Sequence, residues 1–130
     1  MPHFVDTNVV VYAYGGEPKA AQADMVLAGA AISVQVLNEY ANVALKKLRY
    51  DERQLKARIL SIRSKIGAIY PVDEITHDLA RKLAFRYRLG FYDAALLGSA
   101  LLADCDTFYS EDMQDGLVIE RVLTIRNPFA

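Results

Sequence analysis

The chain has 130 residues and a mass of 14.5 kDa, which predicts one domain over 1–130 that buries about two-thirds of its unfolded surface. With 53% hydrophobic and 24% charged residues, 7 Gly and 4 Pro, it is neither disordered, collagen-like nor low in complexity; one cysteine, Cys105, excludes an intramolecular disulfide framework and, with two histidines, leaves no Cys/His zinc spacing. Fifteen Lys and Arg against sixteen Asp and Glu give a net charge of −1, so overall charge does not point to nucleic acid.

The N-terminus has no basic leader region, and no uncharged run is long enough to span a bilayer. A cytoplasmic protein without membrane contact is therefore expected. His3-Phe4-Val5-Asp6 reads as a short first strand. Asn8 to Tyr14 reads as a helix, despite the β-branched Val9-Val10-Val11, and stops at Gly15-Gly16. Pro18 suits the start of a helix over 19–28. Ala31-Ile32-Ser33 is a second strand. Val34, Leu37, Ala41, Ala44, Leu45 and Leu48 then recur at helical spacing. Asp51 can cap the next helix, whose apolar stripe is Leu55, Ile59, Ile62 and Ile66. Ala68-Ile69-Tyr70 is a third strand, and Asp73 or Thr76 caps a helix that runs to Gly90. Phe91-Tyr92-Asp93 opens a very apolar helix through Ala103, expected to be core with some dimer surface. Thr107 to Ser110 is a fourth strand, Asp115-Gly116 a turn, and Leu123-Thr124-Ile125 a last, edge strand. Strands alternating with helices predict an α/β domain of three α/β/α layers around a mostly parallel sheet. In such sheets sites form where strands end and helices begin.

Charge is unevenly placed. Eight basic residues and two acids lie between Lys46 and Lys65, whereas Leu89 to Glu120 carries seven acids and no Lys or Arg. The plain reading of the basic stretch is a solvated helix face. Four acids are harder to explain by packing. Asp6 ends the first strand, where it could equally cap the following helix. Glu39 shares a helix face with Val36 and Val43, a costly place for a carboxylate without a partner. Asp93 has Leu96, Leu97, Ala100 and Leu101 on its side of the helix, so its carboxylate should point along the buried stripe. Asp112 follows the fourth strand, with Asp115 close behind. Brought together, such carboxylates repel, and a hard divalent cation such as Mg²⁺ or Mn²⁺ relieves that conflict while keeping several waters. One ion lowers the pKa of an attacking water. A second, about 3.5–4 Å away, steadies a leaving oxygen, so a carboxylate pocket with one or two such ions suits phosphodiester hydrolysis. The polyanionic substrate needs positive charge nearby, which the basic stretch can supply.

Four segments carry a resemblance: Asp6-Thr7-Asn8; Ile32 to Glu39; Phe91-Tyr92-Asp93-Ala94-Ala95; and Tyr109 to Gly116. In this order and spacing, the chain resembles PIN-domain ribonucleases, specifically the VapC toxins of bacterial toxin–antitoxin pairs. The departures are mild: Phe91 stands where many relatives have Tyr or Ser, and Ser110 where many have Thr. The resemblance implies a PIN-like fold over the whole chain and an acidic quartet of Asp6, Glu39, Asp93 and Asp112. It assigns Asp6, Asp93 and Asp112 to the metal directly or through water, has Glu39 bind metal or orient water, and places Asp115 at a second ion. Asn8 and Ser110 would hold the acids in place with Ser33 close by, and Lys46, Lys47, Arg49 and Arg53 are candidate RNA phosphate contacts. It further implies Mg²⁺-dependent (or Mn²⁺-dependent) endoribonuclease activity leaving 5′-phosphate and 3′-hydroxyl ends, a homodimer, and a small antitoxin whose tail plugs the site. Two other readings remain open at this point. One is a catalytically idle binding module on the same fold. The other is a receiver-type signalling domain, which the absence of any Lys after Lys82 disfavours.

Overall fold

The computed structural model describes residues 2–130. Its elements in order are β1 (His3–Val5), α1 (Thr7–Ala13), α2 (Ala20–Leu27), β2 (Ala31–Ser33), α3 (Val34–Lys46), α4 (Glu52–Lys65) and β3 (Ala68–Tyr70). They continue with α5 (Glu74–Tyr87), α6 (Phe91–Leu102), β4 (Thr107–Tyr109), β5 (Val118–Ile119) and β6 (Leu123–Arg126). The strands form one six-stranded sheet in the order β3-β2-β1-β4-β6-β5. All neighbours run parallel except β5 and β6. Helices cover the sheet in a three-layer α/β/α arrangement, as the alternation predicts.

Short strands suffice because the central ones carry fully buried side chains, Phe4 and Val5 on β1, Ile32 on β2 and Phe108 on β4. Phe4 and Phe108, opposite each other on β1 and β4, stack at 5.5 Å between centroids and are fully buried. Each such side chain contributes about 1.5–3 kcal/mol by leaving water. The helices start where the sequence says they should. Asp51 and Asp73 each close a capping box, with Gln54 and Thr76 as reciprocal partners. Helix α6 is buried at every position from Ala94 to Ala100, so it is core within the chain; Tyr92 at its start is 71% exposed. No helix among the described residues is long and apolar enough to cross a membrane.

One expectation needs correction. β6 is not an edge strand: it lies between β4 and β5 and pairs with both. The true edge, β5, is two residues long and escapes periodicity. Its hairpin to β6 turns through Glu120 (φ 51°) and Arg121 (φ 61°), with Val122 N–H donating to Ile119 O at 3.0 Å. Turns with two left-handed central residues normally carry Gly, Asn or Asp. Here Arg86 and the Tyr87 hydroxyl, at the end of α5, both bond to the Glu120 carboxylate, and the Tyr87 oxygen also accepts Glu120 N–H at 2.8 Å. The turn is thus held from a distant helix.

Gly67 shows how closely α4 returns to the sheet. A Cβ built there lies 2.7 Å from Gly29 O, a backbone atom that cannot swing aside. Gly67→Ala is expected to destabilise by about 1–3 kcal/mol through overpacking, read as a lowered midpoint in urea unfolding.

Candidate active site

Parallel pairing of β1 with β2 and β4 brings their carboxyl ends to one edge. Asp6 follows β1 directly, Glu39 lies in the helix that leaves β2, and Asp112 follows β4. Asp93, in the first turn of α6, completes the set. All four line one open cavity of about 410 Å³ with Thr7, Asn8, Tyr12 and Lys47. The expected convergence is therefore present. Asp93 differs in detail: in the first turn of α6 it is exposed at the cavity rather than turned along the buried stripe.

Three of the four carboxylates, Asp6, Glu39 and Asp112, are held by hydrogen bonds from their neighbours. Asp6 is 7% exposed. Its Oδ1 accepts Thr7 N–H at 2.7 Å, so it also caps α1; its Oδ2 accepts the Ser110 hydroxyl at 2.8 Å and the Asn8 amide at 3.2 Å. Asn8 reaches across to Asp112 Oδ2 at 3.1 Å and so links two acids. Ser110 is fully buried, and its oxygen accepts the N–H of Asp112 (3.2 Å) and of Met113 (3.3 Å). Glu39 accepts the Thr7 hydroxyl at 2.7 Å and the Gln35 amide at 2.8 Å. Those two partners resolve the cost of a carboxylate on an apolar face. Thr7 and Gln35 were not singled out from the sequence, although Gln35 sits one helical turn before Glu39. Lys19 was also missed: it ion-pairs with Glu111, beside Asp112, and its ammonium lies 4.5 Å from the centre of the Tyr12 ring.

The remaining expected site residues lie elsewhere. Ser33 is fully buried with its hydroxyl unpartnered and does not line the cavity. Asp115 accepts the Asn127 N–H at 2.9 Å and stands outside the lining. Of the basic residues expected to meet substrate, Lys47 reaches the cavity, whereas Lys46, Arg49 and Arg53 are exposed beyond it.

The electrostatics favour a cation. Burial pushes the Asp6 carboxyl from 3.8 to about 6; the charges of Asp93 and Glu39 add to that rise, and the Ser110 and Thr7 hydrogen bonds oppose it. Asp93 is also raised, by burial first and then by Glu39 and Asp112. Among the described residues, no three His, Cys, Asp or Glu side chains stand as a ready cage for an ion. Magnesium does not need one, since it is held by one or two carboxylates and keeps several waters. The donor set, oxygens only and net negative, fits that chemistry and not a soft metal.

Raising a folded-state pKa means the native state binds the proton more tightly than the unfolded chain. The stabilisation from protonated Asp6 is therefore complete below about pH 3.8 and lost as pH rises through about 6. In chelator-treated protein, urea titrations from pH 4 to 7 should show wild type losing stability across this window relative to Asp6→Asn. A constant difference would contradict the burial argument.

A sequence model of the PIN domain matches residues 3–115. Comparison with curated proteins finds no match. Among solved structures, a toxin–antitoxin complex from Klebsiella pneumoniae superposes with a TM-score of 0.74 at 20% identity, over 98% of each chain. VapBC2 from Rickettsia felis, bound to a DNA fragment from its promoter, gives 0.69 at 19% identity, over 98% of each chain. Mycobacterium tuberculosis VapC20, a toxin that cleaves the sarcin–ricin loop, gives 0.65 at 16% identity, over 85% of this chain and 91% of that one.

Proposed function

The chain belongs to the PIN domain family, and from that premise we propose that it is a Mg²⁺-dependent (or Mn²⁺-dependent) endoribonuclease, the toxin of a toxin–antitoxin pair. The observation that carries the reading is the lining of one cavity by Asp6, Glu39, Asp93 and Asp112 at the carboxyl edge of the sheet. The toxin–antitoxin neighbours support the biological role. The receiver-type alternative gives way to the family match.

Asp6, Asp93 and Asp112 would hold the ion, directly or through water. When bound, the ion supplies charge neutralisation at the scissile phosphate and lowers the pKa of the attacking water. The chain's own residues do the positioning. Ser110 and Thr7 fix the Asp6 carboxylate, and Asn8 sets its spacing from Asp112. Thr7 and Gln35 fix Glu39 while leaving a lone pair on each of its oxygens to orient a water for in-line attack. Lys47, at the cavity wall, offers a contact to the substrate phosphate. Water attacks phosphorus and the 3′-oxygen leaves, taking up a proton, so the products carry 5′-phosphate and 3′-hydroxyl ends.

An antitoxin chain that inserts into the cavity and a homodimer belong to the same reading. Ile75 (65% exposed) and Tyr92 (71%) are large apolar side chains open for cover by a second copy. Incubation of the purified chain with total RNA and Mg²⁺, followed by end mapping, tests the activity. Discrete cuts with 5′-phosphate ends that vanish with chelator are expected. Intact RNA, or cutting indifferent to chelator, would refute the assignment. A monomeric mass in light scattering would count against the dimer.

A further inference from the structure

Beyond the acidic cavity, α1 and α3 both lead to a second pocket. Along α3, Glu39, Val43 and Lys47 repeat at every fourth position and all line the acidic cavity, so they form one row about 12 Å long. Past Lys47 the chain turns through Arg49 (φ 57°), and Tyr50, three residues beyond Lys47, lines a pocket of about 280 Å³ with Gln54, Ala57, Arg58 and Ser61. Along α1, Tyr12 lines the acidic cavity, and two residues later Tyr14 carries the Arg58 guanidinium at 4.5 Å from its ring centre.

The pocket's polarity is one-sided. Arg58 donates to the Tyr50 hydroxyl at 2.9 Å and lies against two aromatic rings. Among the described residues its guanidinium has no carboxylate partner, the ion pairs being formed by Lys19, Lys65, Arg81 and Arg86. Gln54 accepts Asp51 N–H with its oxygen, which leaves its amide N–H groups free. Of the two acids just before the pocket, Asp51 is committed to capping α4 through Gln54 N–H, and Glu52 forms no ion pair among the described residues. Ser61 is occupied by Tyr14 at 2.7 Å. Tyr40 packs behind Tyr14, fully buried, and its hydroxyl has no partner. A planar guanidinium held by stacking, with N–H groups to spare and no counter-charge, suits the oxygens of a phosphodiester.

We infer that the Tyr50–Gln54–Arg58 pocket is a phosphate-binding subsite that grips the RNA backbone where the strand leaves the acidic cavity along α3. The inference rests on the ribonuclease reading and names Arg58 and Gln54, rather than Lys46, Arg49 or Arg53, as the anchor beyond Lys47. It also gives Tyr50 and Tyr14 a purpose: they hold the guanidinium flat, so that its loss of freedom precedes binding.

Gln54→Glu is the discriminating variant. A glutamate at this position preserves the capping box with Asp51 and suits the first turn of a helix, so thermal unfolding should be unchanged. It places a negative charge where the phosphate would lie. In an Asp6→Asn background, anisotropy titrations with a labelled single-stranded RNA are expected to show binding weakened roughly three- to tenfold by Gln54→Glu or Arg58→Met, for an oligonucleotide of any sequence. For Arg58→Met, the slope of log affinity against log salt should fall by about one. If Arg58→Met does not fold, Gln54→Glu decides alone. Unchanged affinity in Gln54→Glu, while the unsubstituted chain still cleaves RNA, overturns the subsite and leaves the function standing. A chain that neither binds nor cleaves RNA overturns both.

Discussion

Asp6→Asn is expected to reduce RNA cleavage by about 10³-fold or more while leaving the fold intact and, at neutral pH without divalent ions, more stable than wild type. The loss of activity follows from removing a carboxylate that would hold the ion, which is worth several kcal/mol of charge stabilisation in the transition state. The fold should survive because an asparagine oxygen still accepts Thr7 N–H and caps α1. The gain in stability has a separate origin. Asp6 is 7% exposed beside Asp93 and Glu39, and its carboxyl titrates at about 6 instead of 3.8. Holding it ionised at pH 7 costs up to about 3 kcal/mol. A neutral amide removes that cost and loses part of the bonding to Asn8 and Ser110, for a net gain of about 1–2 kcal/mol. Cleavage assays and urea unfolding of chelator-treated protein measure the two effects. Retained activity would remove Asp6 from the ion-binding set, and a variant less stable than wild type at pH 7 would show that the charge is not strained.

Ser110→Ala carries the second large effect. The hydroxyl is fully buried and joins three elements of the site: it donates to Asp6 Oδ2 and accepts the N–H groups of Asp112 and Met113. Alanine fits the space but leaves a carboxylate oxygen with one donor fewer and two amides unpaired. The expected cost is about 2–3 kcal/mol of stability. The Ser110 bond is also the strongest influence holding the Asp6 pKa down. Without it the carboxyl should rise further, so the pH at which cleavage reaches half its maximum shifts upward. Activity should fall about 10–100-fold, the usual effect of removing a group that orients a metal ligand. Ser110→Thr keeps the hydroxyl and is expected to restore most of both losses. If alanine matched wild type in stability and pH profile, Ser110 would not be the joint of the site.

Much of the architecture was readable in the chain because local signals agreed with one another. Asp51 and Asp73 marked helix starts through residues three positions on, and the strands at Phe4, Ile32 and Phe108 were apolar runs next to helix signals. The four acids were visible because each broke a packing expectation: Glu39 on an apolar face, and Asp6 and Asp112 where strands end. The partners that make Glu39 tolerable were not visible, because Thr7 lies 32 residues away and polar residues of its kind are common. The Tyr50–Arg58 pocket was hidden for a related reason. Arg58 reads as one of eight basic residues on a solvated stretch, and its place between the Tyr14 and Tyr50 rings is what separates it from the others.

Residue order and local chemistry were enough to establish the alternation of strands and helices, the helix caps, and which carboxylates had no packing reason to be where they are. Those properties depend on neighbours within one or two turns, which the chain states directly. The order of the strands, the interior place of β6, the hairpin at Glu120 and Arg121, and the choice of Lys47 over Lys46, Arg49 and Arg53 at the cavity were decided by the assembled sheet and its covering helices. Each turns on contacts between segments far apart in sequence. The energies of such contacts, a carboxylate meeting Arg86 and Tyr87 or four acids meeting at one edge, exist only once the chain has closed on itself.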